Sequence, residues 1–222
     1  MATRSQMIFT FLPRGRNYVF IMRRTHPWEE SKMIKDLIIK NRSYRRFHQD
    51  FPVGPDTVRD LVDLARLGAS ASNKQPLRYM ISCDTGRNAV VFSTLAWAAA
   101  LKDWPGPAEG EKPSAYIIIL EDRELSNPYV KYDVGIAAQN VLLGAVEKGL
   151  GGCMIASVKR EQLQRELAIP DNYNILLVIA LGRPKEEVVI EPVGPSGDTT
   201  YRRDAAGVHY VPKRSLEDII VG

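Results

Sequence analysis

The sequence predicts an α/β layered domain, on two observations. Stretches with apolar residues three and four apart alternate with short apolar runs, the pattern of helices packed on a sheet. Two of those runs, Ala115–Leu120 and Ile175–Leu181, are apolar without interruption, which marks strands covered on both faces. At 222 residues the chain can bury a substantial core without metal or disulfide support.

In chain order, Met33, Ile34, Leu37 and Ile38 give a helix over Ser31–Lys40. Pro55-Asp56-Thr57 opens a second, with Val58, Leu61, Val62 and Ala65 on one face and Gly68 as its stop. Leu77–Ser82 reads as a strand. Residues 86–101 read as a helix on the stripe Val90, Val91, Leu95 and Ala98. The Pro- and Gly-rich stretch from Trp104 to Pro113 is a loop. A long helix runs from about Tyr132 to Lys148 and closes on Gly149. Cys153–Ile155 is a short strand, 159–167 a helix and Ile175–Leu181 a central strand. Residues 183–212 are rich in Pro, Gly and charge and show no period, so an arm wrapping a second subunit is expected there. Ser215–Val221 is the closing helix. No internal repeat or low-complexity segment interrupts this series.

Charge places the basic excess in one segment. Residues 1–28 hold five arginines and no acidic residue; 25 of the 30 Lys and Arg then remain against 26 Asp and Glu. The body is near neutral and lacks interleaved aromatic and basic residues, so nucleic acid is not an expected partner. Residues 1–30 are read as a basic extension ahead of a domain spanning 31–222. An arm packing on a partner or an upstream part of the domain fits it better than a cleaved targeting segment. Two cysteines, Cys83 and Cys153, match no metal spacing, and a reducing cytoplasm is the expected compartment. No apolar run has the length of a membrane span. His26, His48 and His209 stand apart from other ligand types, so no metal is expected.

Two polar clusters bear the chemistry. Arg42-Ser43-Tyr44-Arg45 concentrates guanidinium forks and hydroxyls where a helix ends, which suits the paired hydrogen bonds of a phosphate. A solvated helix end favoured by the macrodipole is the plainer reading. Lys213 and Arg214, just before a helix N-terminus, offer a second basic junction to the same anion. The other cluster, Ser70 through Pro76, sets Ser70, Ser72, Asn73 and Gln75 in a turn without an acidic residue. Those groups both donate and accept, as the edge of a pyrimidine-like ring requires. Together the clusters point to a phosphorylated, planar cofactor. Gly149-Leu150-Gly151-Gly152 follows a helix and precedes a strand, the reverse of a dinucleotide fingerprint, and is read as a helix stop with close backbone approach. Phe92 and Trp97 are assigned to the core, and Trp104 to substrate contact.

These motifs resemble the nitroreductase family of FMN-dependent flavoproteins. Arg42-Ser43-Tyr44-Arg45-x-Phe47 is similar to its early Arg-Ser-x-Arg-x-Phe motif, and Ser70-Ala71-Ser72-Asn73-x-Gln75-Pro76 to its ring-binding signature. Asp133-x-Gly135-x-Ala137-Ala138-Gln139-Asn140 resembles its dimer-forming helix. Gly149 through Ala156 resembles the strand ending beside the flavin, and Lys213-Arg214-Ser215-Leu216 the basic pair before its last helix. Ala69, Leu77 and Lys213 depart from the family pattern.

The resemblance implies a three-layer α+β sandwich, with a central mixed, mainly antiparallel sheet flanked by helices and an extended C-terminal arm. It implies FMN held by Arg42, Ser43, Tyr44, Arg45, Ser70, Ser72, Asn73, Gln75, Pro76, Ile155, Ala156, Ser157, Lys213 and Arg214. It further implies a homodimer with flavin sites at the interface. NADH or NADPH would be the electron donor and a nitroaromatic, quinone or other electron-poor small molecule the acceptor. No protein acid or base is assigned as catalytic, because the flavin does the chemistry. Reductive dehalogenation or flavin cleavage on the same fold is one alternative, and a non-catalytic flavin-binding or redox-sensing module another.

Overall fold

The computed structural model describes residues 11–14, 17–20 and 32–222 apart from Lys102. The chain falls into two compact units, Met1–Asp36 and Leu37–Gly222. In the first, β1 (Phe11–Arg14) and β2 (Asn17–Phe20) pair antiparallel, so part of the basic extension is itself built of strands. The rest of residues 1–31 lies outside the described residues.

Helix α1 (Lys32–Lys40) leads into the second unit. There follow β3 (Phe47–His48), α2 (Pro55–Arg66), β4 (Leu77–Ser82), α3 (Thr85–Ser93), β5 (Ala115–Asp122), α4 (Val130–Glu147), β6 (Gly151–Ile155), α5 (Arg160–Glu166) and β7 (Tyr173–Pro184). The central sheet runs β4-β5-β7, with β3 and β6 both paired to β7. Every ladder in it is antiparallel, and Ser43 adds an isolated parallel bridge to Gly152 of β6.

All eight residues of β5 are buried, the six of the apolar run Ala115–Leu120 as expected and Glu121 and Asp122 beyond it. Because side chains alternate across a strand, β5 feeds two cores. Ala115, Ile117 and Ile119 pack with Leu61 and Ala65 of α2 and Ala138, Val141 and Ala145 of α4. Tyr116, Ile118 and Leu120 pack with Val91 of α3, Trp97 and Leu163 of α5. Helices therefore cover both faces of the sheet. Close approach of α2 to α4 depends on Gly144, where a Cβ would lie 2.2 Å from Leu64 Cδ1.

Three expectations need correction. The helix expected over 86–101 stops at Ser93: Thr94 turns the chain, Leu95 bridges to Val158, and Trp97 is thereby driven into the core. The stretch 183–212, read as aperiodic, is built of strands. Its first residues extend β7, and β8 (Val188–Pro192), β9 (Arg202–Arg203) and β10 (His209–Lys213) form a small sheet in the order β8-β10-β9. Its β8–β10 pair is parallel, and its anchors are buried Glu186 and His209. Last, the closing helix is a single turn, α6 (Leu216–Ile219), capped by Ser215 and Asp218. Among the described residues no helix is long and apolar enough to cross a membrane.

Candidate functional site

The Arg42–Arg45 segment lies beside β6 because two glycines let it. Tyr44 N–H donates to Gly152 O at 3.0 Å. A Cβ on Gly151 would sit 2.4 Å from the Tyr44 ring, and one on Gly152 2.6 Å from Ala180 O. The expected close approach after α4 is therefore real, and Gly149, with φ of +72°, stops the helix as read.

At the end of β6 a cleft of about 270 Å³ opens. It gathers Arg45, Ile155, Ala156 and Ser157, four of the expected cofactor residues, with Ala96–Ala99, Cys153, Met154 and Tyr201. The Arg45 guanidinium lies 5.0 Å over the Tyr201 ring, and its Nη1 donates to Ser43 O at 3.2 Å. Trp97, on the cleft wall, has a buried indole N–H with no partner among the described residues. A cationic fork beside a strand end that stops at exposed Ala156 and Ser157 suits a heterocycle that carries hydrogen-bond acceptors.

The remaining expected residues are elsewhere in the described contacts. Arg42 turns back on α1, its Nη2 donating to Ile38 O at 2.7 Å, and burial lowers its pKa. Its Nε is buried without a partner among the described residues. The Ser70 turn is fastened to α4. Ser70 Oγ donates to Asp133 at 2.7 Å and accepts from Gln75 N–H at 2.9 Å, so that hydroxyl is committed within the protein. Ser72, Asn73 and Gln75 all have φ near +50°, a conformation costing non-glycine residues about 1–3 kcal/mol each. Their side chains are exposed, while Pro76 is buried. Lys213 and Arg214 are exposed, and no described contact brings them to Arg42 or Arg45.

Trp104 does not line the cleft. It packs against the second core with the Arg203 guanidinium 4.7 Å over its ring. Tyr201 takes the aromatic place in the cleft instead. Glu186, also missed, is buried and accepts from both Arg45 and Arg46 N–H and from Arg203 Nη2. Both thiols are raised in pKa by burial, so neither is an activated nucleophile. Among the described residues no cluster of three His, Cys, Asp or Glu is placed to hold a metal.

Comparison with known proteins decides the family. Residues 38–183, well over half of the chain, match the sequence model of the Nitroreductase family. The chain belongs to the nitroreductase family. A protein of Archaeoglobus fulgidus provisionally named NADH dehydrogenase/NAD(P)H nitroreductase is 27% identical over 157 residues, 68% of this chain and 85% of that protein. The iodotyrosine deiodinase of Thermotoga neapolitana is 25% identical over 169 residues, covering 70% and 90% of the two chains. An FMN-dependent nitroreductase structure from Clostridium difficile superposes with a TM-score of 0.57 at 22% identity, over 68% of this chain and 87% of that one. A Streptococcus pneumoniae nitroreductase family protein gives 0.59 at 19% identity, over 85% and 99%. This nitroreductase-family chain is an oxidoreductase, and its sheet and flanking helices are those of the family.

Proposed function

We propose that the chain is an FMN-dependent NAD(P)H oxidoreductase that reduces small electron-poor acceptors, nitroaromatics or quinones among them. The observation that supports this best is the cleft that joins Arg45 to the end of β6. Its guanidinium fork, held over the Tyr201 ring, fits the acceptor atoms of a flavin. FMN, when bound, supplies hydride transfer between donor and acceptor at its ring.

The protein's part is to bind, orient and stabilise charge. Arg45 and main-chain groups at Ile155–Ser157 face the ring and favour negative charge on it. Arg42, Ser43 and Tyr44, just ahead of Arg45 in the chain, are assigned to the phosphate-bearing part of the cofactor. Ser70, Ser72, Asn73, Gln75 and Pro76, with Lys213 and Arg214, complete the site when a second copy docks. Homodimerisation is supported by size, since about 270 Å³ is small beside the 300–1,000 Å³ of a typical ligand pocket. It is also supported by Tyr132 and Ile136, large apolar residues exposed four apart on α4.

One cleft serves donor and acceptor, so they occupy it in turn and initial-rate plots are parallel. Steady-state oxidation of NADH and NADPH with a nitroaromatic or quinone acceptor tests the proposal. Turnover dependent on added FMN supports it; no oxidation with any donor–acceptor pair contradicts it. Likeness to the deiodinase favours reductive dehalogenation as a second reading. Halide release from a halogenated phenol under anaerobic conditions, with no nitro or quinone reduction, would select that reading.

A further inference from the structure

We infer that Glu186 is the positioning residue for the Arg45 guanidinium, an inference that rests on the cleft being the flavin site. Glu186 is 141 residues from Arg45 in sequence, yet its side chain has no solvent exposure and closes on the backbone there. One carboxylate oxygen accepts from both Arg45 N–H and Arg46 N–H, the latter at 3.2 Å. The other accepts from Arg203 Nη2 at 2.8 Å, and that guanidinium is only 14% exposed. Lys185 N–H donates to Arg46 O at 2.9 Å, so the two segments are laced from both sides.

Main-chain N–H groups at a buried position need partners, and here a single carboxylate serves two of them. Pinning the Arg45 backbone fixes the direction in which its side chain leaves. Tyr201 then holds the guanidinium from beneath, at 5.0 Å. A long, rotamer-rich side chain is thus presented to the cleft in one pose, which lowers the entropy lost when a ligand binds. Arg203 neutralises the carboxylate from the far side, so Glu186 acts on Arg45 through the backbone and does not draw its charge away from the cleft. Glu186 touches no cofactor or substrate group in this arrangement.

FMN titration of the full-length chain, followed by flavin fluorescence, tests this with four variants: E186A, E186Q, R45A and the double variant E186A/R45A. E186A is expected to raise the FMN Kd by about 10-fold or more, the scale of a hydrogen bond to a charged group. E186Q, which keeps an acceptor oxygen for the two N–H groups, is expected to lose clearly less. On the R45A background E186A should add no more than about twofold, because the two residues act as a unit. The same fold-loss on both backgrounds would make Glu186 a stability residue only and overturn the inference. If E186A does not fold, E186Q alone decides: a Kd raised as far as that of R45A, although the acceptor oxygen is kept, overturns it. R45A binding FMN as the native chain does would instead remove the reading of the cleft, and with it the basis of the inference.

Discussion

Asp133, in the first turn of α4, grips the start of the Ser70 turn: Ser70 Oγ donates to it at 2.7 Å and Ala71 N–H at 2.9 Å. The carboxylate is only 3% exposed. A helix N-terminus favours its charge, and it anchors the segment in which Ser72, Asn73 and Gln75 are held in left-handed conformations.

Removing that anchor leaves two donors unpaired in a part-buried place. D133A is therefore expected to lower unfolding free energy by about 2–3 kcal/mol, and S70A by about 1 kcal/mol. Urea denaturation measures both. Equal stabilities of D133A and the native chain would show that the turn does not depend on α4.

Glu111 gives the fold an acid limit. The Arg46 side-chain hydrogen bonds, at 2.6 and 2.7 Å, together with Lys185, lower its pKa from 4.5 to about 2. A carboxylate with a depressed folded pKa contributes stability that is full above its unfolded value and is lost as pH falls through the folded one. Stability should accordingly decline between about pH 5 and pH 2. E111Q should flatten that decline in pH-dependent urea midpoints, and an unchanged profile would assign the acid limit to other groups.

Tyr201 lines the cleft, whereas Trp104, expected to contact substrate, packs against the second core. Y201A is expected to raise the acceptor KM by about 3- to 10-fold through lost ring contact, with little change in Tm. W104A should instead cost about 2–3 kcal/mol of stability, through lost packing beneath Arg203, with KM near native. Steady-state kinetics with thermal melts separates the two; the opposite pattern would return Trp104 to the cleft.

What the sequence revealed and what it hid follow from the range of the contacts involved. Strand β4 has the bounds Leu77–Ser82 that its local pattern predicts, and α2 starts at Pro55 as its turn residues indicate. Burial of β5 was legible because a strand covered on both faces has no polar side to hide it. The end of α3 was not, since the apolar stripe continues through Leu95 and Ala98 while the chain leaves the helix to bury Trp97. Strands β8 to β10 are short and charged, and β10 pairs parallel to a strand some twenty residues earlier, so no local period announces them. Within the site, Arg45 and Ile155–Ser157 could be read from motifs. Glu186 could not: it is one charge among Pro184-Lys185-Glu186-Glu187, and its main-chain partners at Arg45 and Arg46 are 141 and 140 residues away.

The central claim is that the Arg45 cleft at the end of β6 holds the flavin. FMN titration of the purified chain, native and R45A side by side, tests it most directly. The account predicts saturable uptake approaching one FMN per chain, with flavin fluorescence altered on binding and affinity lowered about 10-fold or more in R45A. No saturable uptake by the native chain, or R45A binding as tightly as the native chain, would contradict it.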